Sequence, residues 1–182
     1  LRHSSFQVVS VITTTGFTTV DYDVWPPLSR AVLLLLMFVG GSAGSTGGAI
    51  KVVRMNVLAK HSVRELKRAV YPRRVTVIRL NGKAVPEEVS SAVLAFVILY
   101  LSVFLLSMLA LSAMGLDFMS AVGAVAATLG NIGPGFGLVG PTCNYSAVPT
   151  IGKWLLSFCM LVGRLEVYTV LSLLVPGFWR KP

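Results

Sequence analysis

The sequence predicts an all-α integral membrane fold made of repeated units of helix, re-entrant loop and helix, with a small hairpin on one membrane face. Three observations carry this. Residues 91–116 hold no charged side chain over 26 positions; at about 1.5 Å of rise per residue they reach ~39 Å, more than the ~30 Å of hydrocarbon in a bilayer. Two shorter apolar segments, residues 4–13 and Phe118–Leu129, cannot cross, and each runs into a glycine-bearing loop. Laying Gly16 over Gly133 brings these two segments, their loops and the proline-containing turns after them into one internal repeat.

Composition agrees with a membrane solvent. Hydrophobic residues make up 54% of the chain and charged residues 13%, with a mean hydropathy of +0.77, against roughly a quarter charged in a soluble domain. The net charge of +9 is concentrated, because ten of the 16 Lys and Arg lie between Lys51 and Lys83. A basic segment between apolar runs is the pattern of a cytoplasmic loop, so the charge orients the chain rather than binding nucleic acid. Cys143 and Cys159 read as free thiols, since Cys159 sits well inside an apolar run.

In chain order, residues 4–13 form a short helix that Ser4 or Ser5 could cap, ending in Thr13-Thr14-Thr15-Gly16-Phe17. Asp21, Tyr22, Asp23, Trp25, Pro26 and Pro27 suit a turn at the membrane surface. An apolar helix over residues 28–39 is interrupted at Gly40 to Gly48 and resumes at Ala49 into the basic segment, which stays helical through Ala69 and stops before Pro72. Asn81-Gly82 between two extended arms marks a two-residue hairpin turn. The long span follows, then Asp117 as cap of the second short helix, then Gly130 to Gly137, and a last span over residues 150–175. The expected division is residues 1–55 as one unit lacking its first helix, 56–90 as a basic linker, and 91–182 as a complete unit. The missing helix is expected upstream of Leu1.

Irregular backbone at membrane depth cannot face lipid, because each unpaired backbone group costs several kcal/mol. It must line a cavity. A short helix aims the negative end of its dipole there, which favours a cation, and loop carbonyls can replace the ion's water shell. On this ground Thr14, Thr15 and Gly16 form one filter segment, and Asn131, Ile132 and Gly133 the other; the Thr hydroxyls and the Asn amide either add oxygen ligands or hold the loops from behind. Gly40 to Gly48, with Gly41, Gly44 and Gly47, has neither a preceding strand nor the following Lys-Ser/Thr of a phosphate loop. It reads as an unwound hinge beneath the filter, with close helix packing as the plainer alternative. Arg164 lies ~16 Å along its helix from Lys153 and ~24 Å from Arg180, which is mid-membrane and requires a partner. Repeat register puts it level with the glycine-rich break. Hydrogen bonds from Arg164 to carbonyls near Gly41 to Ser45, making a positive barrier, are therefore expected, and Glu166 is on the wrong face to be its mate.

Thr-Thr-Thr-Gly-Phe at 13–17, Gly-Gly-Ser-Ala-Gly-Ser-Thr-Gly-Gly-Ala-Ile-Lys at 40–51, Asn-Ile-Gly-Pro-Gly at 131–135 and Gly-Arg-Leu-Glu at 163–166 together resemble the C-terminal half of the Trk/Ktr/HKT family of potassium transporters, in its bacterial TrkH/TrkG branch. The resemblance implies four helix, pore-loop, helix units around one pore, with most of the third and all of the fourth held here. It also implies K+ as transported ion, filter ligands at Thr14, Thr15, Asn131 and Ile132, a gating loop at Gly40 to Gly48 and a pore arginine at Arg164. Expected partners are the upstream half of the polypeptide, a second copy in a homodimer, membrane lipid and a cytoplasmic ring of RCK nucleotide-binding domains. Ser42, Ala49 and Gly130 depart from residues common in such loops.

A membrane-embedded enzyme would need converging His, Asp or Glu at membrane depth; only His3 and His61 exist, both outside the spans. An ion-coupled secondary transporter, driven by Na+ or H+, also uses broken midplane helices and stays open as the alternative.

Overall fold

The computed structural model describes residues 1–182 apart from Ala43, Thr46, 72–76, Asn81, 166–169 and 171–182. Its helices are α1 (Arg2–Ile12), α2 (Pro27–Met37), α3 (Val52–Val70), α4 (Glu87–Ala113), α5 (Phe118–Leu129) and α6 (Thr150–Leu165). The described residues also form two-residue strands, β1 (Val39–Gly40), β2 (Ile50–Lys51), β3 (Arg79–Leu80) and β4 (Lys83–Ala84), and single 3-10 turns at Gly137–Val139 and Tyr145–Ala147.

The second repeat is organised around α5. Every residue from Ser120 to Leu129 is buried, and its Ala121, Gly123, Ala124, Ala126 and Ala127 are small enough for neighbouring backbones to approach closely. α4 and α6 pack on it, with α2 behind. Asp117 caps its start by accepting the Ser120 N–H at 3.1 Å, as expected from the sequence.

α4 is apolar all round. Its buried residues Val93, Phe96, Tyr100, Phe104, Ser107 and Leu111 fall three or four apart and make one stripe against the protein. The opposite face exposes Ile98, Leu101, Leu105, Leu106 and Leu109. A soluble helix would carry polar residues there, so this face is suited to lipid or to further apolar helices. At 27 residues α4 is long and apolar enough to cross a membrane, while α2 and α5 are shorter apolar helices.

Several expected boundaries shift. α1 begins at Arg2, so Ser4 and Ser5 are inside it rather than capping it, and Ser5 Oγ donates to the Leu1 carbonyl at 3.0 Å. α2 starts with Pro27 at its first position, where the missing N–H costs nothing. α4 opens at Glu87, earlier than its charge-free run, because Glu87 and Glu88 sit favourably in a first turn. The hairpin pairs Leu80 with Lys83 and Arg79 with Ala84, and Gly82 takes φ +80° in the turn. Asn81, residues 73–76 of the first arm, Glu166 and the distal part of the last span lie outside the described residues. Both cysteines are free.

Candidate functional site

The two short helices end in the same way. Thr13 N–H bonds the Val9 carbonyl, Thr14 N–H bonds Val11 and Thr15 N–H bonds Ser10, at 2.9, 3.1 and 2.9 Å. In the other repeat Gly130 bonds Ala126, Asn131 bonds Thr128 and Ile132 bonds Ala127, at 2.9, 3.1 and 2.8 Å. Thr14 and Asn131, equivalent in the repeat, both adopt left-handed φ, 54° and 55°, and the glycines two places on, Gly16 and Gly133, have φ +76° and +119°. Glycine takes such angles at no steric cost; threonine and asparagine pay for them. Each helix thus stops in a tight turn that satisfies its last carbonyls and sends the chain back along its own side.

The two loops meet. A Cβ on Gly16 would overlap the Ile132 carbonyl oxygen and come 3.3 Å from Pro134 Cδ. Of the side chains expected at the filter, Asn131 points backward, its amide donating to the Met160 carbonyl on α6 at 3.1 Å. That bond ties the loop to α6 from behind. Thr15 Oγ1 lies 2.8 Å from Thr13 Oγ1, which itself donates to Val9. The Gly133 carbonyl accepts the Tyr145 hydroxyl at 2.7 Å. In the first loop buried Ser10 donates to the carbonyl of Phe17, one place beyond Gly16, at 2.7 Å. Neither Ser10 nor Tyr145 was marked in the sequence; a hydroxyl in register with a loop carbonyl leaves no periodic signal.

The glycine-rich break lies directly beneath. Its ends are zipped together in parallel, Val39 with Ile50 and Gly40 with Lys51, and Val52 N–H bonds the Gly41 carbonyl at 3.1 Å. The segment is therefore a closed loop and not a simple unwound turn. A Cβ on Gly47 would sit 3.0 Å from Thr14 Oγ1, and one on Gly48 would meet the Gly130 carbonyl and come 3.0 Å from Asn131 Cβ. Gly44, with φ +85°, has open space around it at the tip. Gly163 on α6 is pressed against the Leu129 carbonyl, with Asn131 Nδ2 2.7 Å from where a Cβ would be. Arg164, one residue on, lines a cavity of about 290 Å³ together with Ser45 and Gly47 of the loop, Lys51, and Arg54 of α3. The Arg54 guanidinium stacks 4.1 Å from the Phe96 ring of α4.

On the other side of the two loops, the turn after the first loop is joined to the second. Tyr22 donates to the Gly135 carbonyl at 2.9 Å and packs edge-on against Phe136 at 5.3 Å. Burial, with Asp23 beside it, raises the Tyr22 pKa well above the ordinary phenol range. Asp23 accepts the Gly137 N–H at 2.7 Å and pairs with Arg30 of α2 at 3.1 Å.

Paired re-entrant helices, glycine-turned loops that meet, and an intramembrane loop under them define a membrane protein of the pore-loop class. Residues 1–179 match the TrkH family, described as cation transport protein, and the chain belongs to that family. It is 48% identical over 181 residues to the Trk system potassium uptake protein TrkH of Salmonella typhimurium, covering 100% of this chain and 37% of that protein. It is 37% identical over 179 residues to TrkG of Escherichia coli, covering 98% of this chain and 36% of that protein. The crystal structure of the potassium transporter TrkH from Vibrio parahaemolyticus superimposes with a TM-score of 0.87 at 48% identity, over 96% of this chain and 37% of that one. The chain thus spans little more than a third of the relatives it matches, and its family is one of transporters rather than enzymes.

Proposed function

We propose that this chain supplies two of the filter segments of a K+-uptake pore in the bacterial inner membrane. The observation that carries the reading is the meeting of two loops with identical terminal hydrogen bonding, Gly16 against the Ile132 carbonyl. Both short helices aim their negative ends at that meeting point, and backbone carbonyls at Thr14, Thr15, Asn131 and Ile132 are the candidate oxygens for a dehydrated cation. The potassium named for the relatives supports K+ as the transported substrate. Gly40 to Gly48 acts as the gate and Arg164 as a positive barrier beside it. Residues 1–55 and 91–182 are read as the third and fourth pore units, and 56–90 as their cytoplasmic linker. The upstream half of the polypeptide completes the ring, and the same reading expects a homodimer and a cytoplasmic RCK-type regulator facing the basic linker.

Rubidium uptake by the full-length protein, in potassium-starved cells lacking other uptake systems, tests the reading. Saturable uptake competed by K+ is expected. Uptake that collapses without a Na+ or H+ gradient would point to coupled transport instead. Arg164→Ala should raise the flux severalfold at equal protein in the membrane, and an unchanged flux would remove the barrier role from Arg164.

A further inference from the structure

We infer that Asp23, with Tyr22, is a positioning residue that fixes the spacing of the two filter segments and thereby the discrimination among alkali cations. The inference rests on the pore reading and deepens it.

Asp23 is seven residues beyond Gly16 and on the outer turn, where a carboxylate would ordinarily be solvated. Here it is committed to the other repeat. One oxygen accepts the Gly137 N–H at 2.7 Å, across 114 residues of sequence. The other lies 3.1 Å from Arg30 Nη2. Its own N–H is held by Asp21 Oδ1 at 2.9 Å, which fixes the turn that presents it. Gly140 leaves the slot it occupies, since a Cβ there would come 3.2 Å from Asp23 Oδ2. Tyr22 adds a parallel tie to Gly135, two residues before Gly137, and Arg30 lies 6.0 Å from the Phe136 ring that Tyr22 packs against.

These ties all land on 135–137, immediately after the filter glycine Gly133. The other end of that segment is fixed by Asn131 to α6 and by Ile132 against Gly16. A short stretch pinned at both ends, one of them on the neighbouring repeat, cannot widen or slide independently of its neighbour. Charge-assisted bonds are the stronger kind, so the carboxylate is the dominant tie. The brace runs one way only: the residue seven beyond Gly133 is Gly140, which has no side chain to return it. Discrimination by carbonyl ligands depends on how many oxygens can be held at what distance, and a spacing set from outside the ligand set tunes it without touching the ion.

The test uses the full-length protein with Asp23→Ala, Asp23→Asn and Tyr22→Phe. Hydrogen exchange reads the brace directly. Asp23→Ala is expected to speed exchange across 135–140 by about tenfold, and Asp23→Asn, which keeps an acceptor oxygen, by much less. Rubidium uptake competed by K+ and Na+ reads the consequence: the preference for K+ over Na+ should fall at least about threefold in Asp23→Ala, with Asp23→Asn restoring most of it. Unchanged exchange in Asp23→Ala overturns the brace, and faster exchange with an unchanged K+ to Na+ preference overturns the positioning role. If Asp23→Ala does not reach the membrane, Tyr22→Phe, which removes one hydroxyl, decides by the same two readings. A wild-type protein that moves no alkali cation defeats the pore reading, and exchange alone then judges the brace.

Discussion

Tyr145 shows how a single hydroxyl can hold a loop carbonyl. It donates to the Gly133 oxygen at 2.7 Å, and burial pushes its pKa up to about 12. A phenol whose pKa is raised on folding contributes stability that is fully present below its unfolded value, roughly 10, and is lost as pH rises toward its folded one. The tie is therefore intact at all physiological pH. Tyr145→Phe should leave the fold in place and cost about 1 kcal/mol, seen as a lower melting temperature in detergent. The wild-type advantage should vanish only above about pH 10. Nothing in Pro141-Thr142-Cys143-Asn144-Tyr145 announces a partner 12 residues back, and this is why the residue that occupies the Gly133 carbonyl was not legible. Asn131 was legible as the equivalent of Thr14 in the repeat. The direction of its amide was not, because that depends on the Met160 carbonyl of a helix 29 residues away.

At the scale of elements, legibility follows how local the cause is. α5 could be read to the residue because Asp117 caps it and a run of apolar small residues fills it. The hairpin could be read from Asn81-Gly82. The closure of the glycine-rich segment could not, since the pairing of β1 with β2 needs two ends ten residues apart to be brought together by the helices around them. Two predictions belong here. The hydrogen bonds from Ser120 lower the Asp117 pKa, so its capping contribution is present above its unfolded value near pH 4 and is lost as pH falls through the folded one. Asp117→Ala should cost about 1 kcal/mol at neutral pH, and the difference in thermal stability from wild type should shrink as pH drops below about 4. Gly163 is the second case. A side chain there meets the Leu129 carbonyl, which is backbone and cannot move aside. Gly163→Val should push α6 off the end of α5, with a cost of about 1–3 kcal/mol and loss of rubidium uptake. Ile151→Val, on an exposed face of the same helix, should be silent in both measurements.

For the molecule as a whole, the chain brings two bends together, Gly16 against the Ile132 carbonyl, and on the proposed pore reading the other sides of the cage come from residues outside these two segments. α4 turns an apolar face outward, with Leu106 67% exposed and Ile98 63% exposed, and α1 exposes Phe6 and Val9. Apolar area of this kind is covered by lipid or by further helices. The relatives are nearly three times as long, this chain covering 37% of the TrkH from Salmonella typhimurium. On the proposed reading two carbonyl-bearing segments supply half of a four-sided cage, and an ion held on two sides would keep much of its water, so neither selectivity nor dehydration would follow from these residues alone. The 182-residue chain produced by itself should therefore insert in membranes yet give rubidium uptake within about 5% of empty-vector cells. On the proposed reading uptake should return when it is joined to an upstream half like that of its relatives, and Gly16→Ser in that longer protein should abolish it, because the added side chain enters the space of the Ile132 carbonyl. Strong uptake by the short chain alone would mean that two copies close the ring between them, and pairing Gly16 to Ile132 within one chain would then be only half of each filter.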